Sequence, residues 1–98
     1  MKTNGFLKCI VDDNRRNILL FLEKKQRCVT QISQTLQLEQ SLVSHHLNLL
    51  KCCGLVKAQQ QGKEIYYQLT DKKIYTIIKN IEEISQKLMI PPECESHE

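Results

Sequence analysis

Gln40-Ser41-Leu42-Val43-Ser44-His45-His46-Leu47-Asn48-Leu49-Leu50-Lys51-Cys52-Cys53-Gly54 is the stretch on which the fold turns. Val43, Leu47 and Leu50 recur at helical spacing and make one apolar face, while Ser41, Ser44, His45 and Asn48 fall at i, i+3, i+4 and i+7 on another. The second face is polar and carries no carboxylate. Gly54 stands where a helix running to Cys53 needs a left-handed residue, the conformation that costs glycine least.

On the amino-terminal side, the polar Gln37-Leu38-Glu39 separates this helix from a shorter one predicted from Cys28 to Leu36, with Val29, Ile32 and Leu36 at i, i+3 and i+7. Two further helices are expected over residues 3–11 and 13–25, the second opening at Asp12-Asp13-Asn14 and burying Ile18, Leu19 and Leu22. On the carboxy-terminal side, Leu55 to Gln59 and Glu64 to Leu69 read as strands of a hairpin around Gln60-Gln61-Gly62-Lys63. Thr70 or Asp71 can cap a last helix reaching about Met89, which Pro91-Pro92 ends. Helix, turn, helix, glycine, hairpin is the order of a winged helix-turn-helix, a mainly α fold with a β-hairpin wing. The expected organisation is one DNA-binding and dimerisation domain over residues 1–90 and an acidic, cysteine-containing tail over 91–98.

Composition agrees. The 98 residues are 41% hydrophobic and 26% charged, as in an ordinary globular chain. Glu93, Glu95 and Glu98 crowd the last residues, so 1–90 hold 14 cations against 8 carboxylates, a surplus of +6 beneath the formal +3. Such a surplus favours polyanions. The longest aliphatic and aromatic run, Ile18 to Leu22, is five residues, so neither export nor a membrane span is expected, and the five cysteines are expected as thiols in a cytoplasmic, reducing compartment.

A winged helix-turn-helix presents one face of its second helix to the major groove. Gln40, Ser41 and Ser44 can bond phosphate or base acceptors, and His45 and Asn48 can reach base edges. Lys51 and Lys57 flank the helix end and the first strand, while Gln60, Gln61 and Lys63 sit at the hairpin tip beside the phosphate backbone. Double-stranded DNA is the expected partner. The last helix carries Ile74, Ile77, Ile78, Ile81, Ile84 and Leu88, an isoleucine-rich seam longer than a small winged domain needs to close itself. With Phe6 of the first helix it reads as a homodimer face; the alternative is that the helix folds back on its own core.

Three blocks carry a family resemblance: Val43-Ser44-His45-His46-Leu47-Asn48-Leu49-Leu50, Gly54-Leu55-Val56, and Gly62-Lys63-Glu64-Ile65-Tyr66-Tyr67-Gln68-Leu69. Over residues 14–88 the chain resembles the ArsR/SmtB family of metal-responsive repressors. The resemblance implies a dimer of winged domains held by the first and last helices, bound to a palindromic operator and released by an effector.

Thiolates select Cd(II), Pb(II) or As(III) over hard cations, and no organic cofactor is expected. Against the family's sites, the helix before the turn keeps Cys28 but has Thr30 in place of a second cysteine. The last-helix zinc site keeps Asp71 alone, since Lys73, Ile84 and Lys87 fill the other places, and Asp71 reads better as a helix cap. Cys53-Gly54-Leu55-Val56 with Cys94 in the tail is similar to the cadmium- and lead-sensing CmtR branch, with Leu49 where that branch has its other helix cysteine. Cys52, about 100° around the helix from Cys53, is the available substitute. The implied inducer site is therefore Cys53, Cys94 and Cys52, with Cys28 as a lesser candidate. The same thiols could instead form a redox switch, Cys53 with Cys94 or between subunits. A winged module that docks protein and not DNA is a further alternative. An enzyme is not: no phosphate-binding glycine loop or H-E-x-x-H pair is present.

Overall fold

A computed structural model describes residues 3–88. The chain runs α1 (Thr3–Ile10), α2 (Asp13–Phe21), β1 (Arg27–Cys28), α3 (Val29–Leu36), α4 (Gln40–Cys52), β2 (Val56–Gln61), β3 (Glu64–Leu69) and α5 (Lys73–Lys87). α5 ends at Lys87, with Leu88 extended as its cap, two residues before the expected Met89; the 91–98 tail with Cys94 lies outside the described residues.

Asp12 starts α2 in an extended conformation, its carboxylate accepting from the Arg15 backbone N–H at 3.0 Å. The helix stops at Phe21, four residues short of the sequence expectation. Leu22 is the last anchor to the core, and Glu23-Lys24-Lys25 are exposed with no apolar side chain to bury. The chain turns there, and Arg27 and Cys28 pair antiparallel with Tyr67 and Tyr66. This third strand, in the order β1-β3-β2, was not anticipated, because two residues have no period for a sequence to reveal. The Cys28 backbone N–H then donates to Gln31 Oε1 at 3.1 Å as α3 begins.

α4 closes as the glycine foretold. The Leu55 N–H returns to the Leu50 carbonyl at 2.9 Å and the Gly54 N–H to Lys51 at 3.0 Å, with Gly54 at φ +81°. These two bonds form a Schellman motif and satisfy carbonyls that the helix end would leave bare. Both strands of the wing pair through to Gln61 opposite Glu64, so the turn shrinks to Gly62-Lys63, with Gly62 at φ +64°. At the start of α5, Asp71 accepts from the Lys73 N–H at 2.8 Å.

Ile18, Leu19, Ile32, Leu47, Leu50 and Ile78 are fully enclosed at the centre where α2 to α5 meet. Each such side chain contributes about 1.5–3 kcal/mol relative to leaving it in water. Among the described residues, no helix is long and apolar enough to cross a membrane.

Candidate nucleic-acid interface

The angle at which α4 leaves α3 is set by one left-handed residue. Gln37 adopts φ 58°, ψ 48°, and the Leu38 N–H returns to the Ser33 carbonyl at 3.1 Å. The Ser33 hydroxyl donates to the Leu38 carbonyl, and Leu38 packs on the core. From that turn α4 buries Val43, His46, Leu47 and Leu50 and presents Gln40, Ser41, His45, Asn48 and Lys51 to solvent, with Ser44 half-buried between them. On the wing, Lys57, Gln60, Gln61 and Lys63 are exposed. The wing's position relative to α4 is held by Thr70, whose hydroxyl donates to the Gly54 carbonyl at 2.8 Å and whose N–H donates to the Leu55 carbonyl at 3.1 Å. The base of the wing is therefore tied to the end of α4.

His46, adjacent to His45 on the helix, points the other way. It is 5% exposed, with Nδ1 3.3 Å from an Arg15 guanidinium nitrogen and Nε2 3.9 Å from the Asp12 carboxylate. A guanidinium can only donate, so Nδ1 accepts and the ring is neutral, carrying its proton on Nε2. Burial pushes the His46 pKa below its usual value; Asp12 opposes that shift, while Arg15 and His45 add to it. At Asp12, burial favours the neutral acid, but the Arg15 backbone N–H, the charge that His46 carries once it is protonated in acid, and the Arg15 charge outweigh it and hold the carboxyl below its ordinary range.

Two arginines that the sequence reading did not single out turn inward. Arg15 Nε donates to the Cys9 carbonyl at 2.8 Å and a terminal nitrogen to Lys8 at 3.2 Å. Arg16 donates to the carbonyls of Ile10 and Val11, pairs with Asp13, and reaches Glu82 of α5 at 3.0 Å. Together they satisfy the carbonyls at the end of α1, where positive charge is also favoured by the helix dipole. A count of cations cannot separate such structural arginines from lysines free to meet phosphate. Arg27 is a further inward cation, stacked 4.2 Å over the Phe21 ring.

The cysteines separate. Cys52 is exposed, Cys28 is buried at the start of α3, and Cys53 is bonded to Cys9 of α1, their Cα atoms 7.0 Å apart. The expectation of five free thiols thus gives way at one pair, because the end of α4 packs directly on α1. Among the described residues, no cluster of three or more histidine, cysteine or carboxylate side chains could hold a metal ion. The last-helix stripe also divides. Ile74 and Ile78 are buried in the chain's own core, Phe6 packs against it, and Ile77, Ile81, Ile84 and Leu88 stay exposed, as do Leu7 of α1 and Val11 just after it.

Residues 12–58 match the family described as bacterial regulatory proteins of the arsR family. A helix-turn-helix transcriptional regulator of Methanocaldococcus jannaschii is 37% identical over 84 residues, 85% of this chain and 94% of that protein. The chain belongs to the ArsR family. The cadmium resistance transcriptional regulatory protein CadC of Listeria innocua is 32% identical over 77 residues, 78% of this chain and 65% of CadC. Among solved structures, HlyU from Vibrio cholerae superposes with a TM-score of 0.74 at 27% identity, covering 86% of this chain and 97% of that one. This ArsR-family chain is a DNA-binding transcriptional regulator with a winged helix-turn-helix fold, not an enzyme.

Proposed function

We propose that this ArsR-family regulator is a cytoplasmic homodimeric repressor that places α4 of each subunit in the major groove of a palindromic operator. The carrying observation is the exposed face of Gln40, Ser41, His45, Asn48 and Lys51, free of carboxylates, together with the exposed Lys57, Gln61 and Lys63 of a wing tied to the end of the same helix. Serine, histidine and asparagine supply donors and acceptors for base edges, and the lysines supply sequence-independent attraction to phosphate. The dimer reading is supported by Ile77, Ile81 and Ile84 on one face of α5 with Leu88 at its cap, all 38–57% exposed, and by Leu7 of α1 and Val11 just after it. Large apolar side chains gathered this way mark a surface meant to be covered. A dimer would set the two recognition helices about one DNA turn, roughly 34 Å, apart.

The inducer in this reading is a thiophilic ion, Cd(II), Pb(II) or As(III). Cys53, Cys94 and Cys52 are the ligands we assign, with Cys28 as the lesser candidate. A relative bearing the name of a cadmium resistance regulator supports the class of ion, and soft thiolate donors suit it. Cys53 can ligate only when its bond to Cys9 is reduced.

Binding to DNA from the gene's own upstream region, read by fluorescence anisotropy, tests the repressor. Ser44→Ala or His45→Ala should weaken specific binding by about 1–3 kcal/mol, whereas Lys63→Ala should weaken all sequences and flatten the salt dependence. Equal losses on operator and random DNA for all three would overturn the assignment. Titration of reduced protein with Cd(II), Pb(II) and As(III) tests the inducer. Thiolate charge-transfer absorbance together with operator release is expected, and an unchanged spectrum with unchanged affinity would refute it.

A further inference from the structure

Cys9 and Cys53 meet where three parts of the molecule converge. Cys53 caps α4 immediately before Gly54, and the Gly54 and Leu55 carbonyls hold the base of the wing through Thr70. Cys9 lies in the last turn of α1, whose end is bonded to Arg15, which in turn contacts His46 of α4. In α1, Cys9 is buried while Leu7, and Val11 just past the helix end, are exposed, on the surface assigned above to the partner subunit. Each sulfur also faces a backbone carbonyl of the opposite helix, Cys9 with Leu49 at 3.9 Å and Cys53 with Gly5 at 3.7 Å. Only thiols can donate to those carbonyls, so the site has partners for the sulfurs in the reduced form as well as in the bonded one.

From this placement, and resting on the repressor reading, we infer that Cys9 and Cys53 form a dithiol–disulfide switch that couples the end of the recognition helix to the dimerisation helix. The co-reactant is a low-molecular-weight disulfide. Cys53, the more accessible of the two, attacks as thiolate and forms a mixed disulfide, releasing one small thiolate. Cys9 then attacks the Cys53 sulfur and releases the second. The two cysteines thereby lose two electrons and two protons, and the small disulfide becomes two thiols. In the dithiol, α1 and α4 touch through packing and weak sulfur contacts, and α4 can adjust to its half-site. In the disulfide, the end of α4 is fixed to α1, and a dimer so fixed has one spacing between its recognition helices. A repressor resting on its operator in a reducing compartment is the dithiol, and the disulfide is the released form. Oxidation also withdraws Cys53 from any thiophilic ion, so the two inputs compete for one sulfur.

The test uses the full chain carrying Cys52→Ser and Cys94→Ser, which leaves Cys9, Cys53 and the buried Cys28. Protein is equilibrated in glutathione buffers from fully reducing to fully oxidising. Peptide mapping, operator anisotropy and amide exchange over residues 49–55 are read on each sample. The expected result is a Cys9–Cys53 crosslink, at least a tenfold loss of operator affinity reversed by dithiothreitol, and slower exchange at the end of α4. Cys9→Ser and Cys53→Ser, each added to that background, should keep the reduced-state affinity in every buffer. Formation of the crosslink with unchanged or tighter operator binding would overturn the switch, as would an affinity loss that persists in Cys9→Ser or a failure of the crosslink to form. Reduced protein that binds no upstream DNA would defeat the repressor reading itself, and the anisotropy of the reduced sample shows that case separately.

Discussion

Replacing Arg15 by methionine removes the guanidinium and keeps most of the aliphatic stem. Three hydrogen bonds are lost, to the carbonyls of Cys9 and Lys8 and to Nδ1 of His46. The first two acceptors sit at the end of α1, where water can replace the donor at modest net loss. His46 is 5% exposed, and its Nδ1 would be stranded. Stranding a buried acceptor costs about 1–3 kcal/mol, and the replaced bonds together add about 0.5–1.5 kcal/mol, so Arg15→Met should destabilise by roughly 1.5–4.5 kcal/mol. The informative measurement is the double-mutant cycle with His46→Leu. Removing both partners leaves no stranded acceptor, so the double variant should be more stable than the sum of the single losses implies, by about 1–2 kcal/mol of coupling. Urea unfolding followed by far-UV circular dichroism, with slopes checked for constancy, reads this directly. Losses that simply add would show that Arg15 and His46 do not act as a pair.

Acid should destabilise the fold in two stages. His46 has a folded pKa below its ordinary 6.5, so the unfolded chain takes up that proton first, and stability present above pH 6.5 is lost as pH falls toward the folded value. Asp12, held below its ordinary 3.8, adds a second loss beginning near that pH and completed as its folded carboxyl protonates. Denaturant midpoints at pH 7.5 and 5.5 check the first stage, which should vanish in His46→Leu. Gly54→Ala should cost about 1–2 kcal/mol from backbone conformation alone, because a Cβ there meets nothing within 4 Å and only the +81° φ resists it; an unchanged urea midpoint would contradict this. Ile84→Glu, at a side chain 57% exposed, should give monomers by sedimentation with the fold intact, whereas Ile78→Ala should cost about 2–5 kcal/mol of stability. A dimer unaffected by Ile84→Glu would remove α5 from the interface.

The cysteines and the inward arginines show where reading along the chain runs out. Periodicity places Val43, Leu47 and Leu50 inside α4 and Ser41, His45 and Asn48 outside it, because a helix converts spacing into direction whatever surrounds it. It also puts His46 on the buried side, three residues after Val43 and four before Leu50, but it cannot supply the partner a buried imidazole needs, which is Arg15, 31 residues away. Likewise Ile74 and Ile77 read alike, yet one is 7% and the other 43% exposed, which depends on where α2 lies against α5.

The order of the helices, the end of α4 at Gly54, the hairpin and the uncharged polar face of α4 were all legible in residue order, for each depends on contacts within a few positions. The short strand at Arg27-Cys28, the Asp12–Arg15–His46 cluster and the meeting of Cys9 with Cys53 were not. Each joins residues separated by tens of positions, and only packing of the helices around a shared core brings such groups within bonding distance.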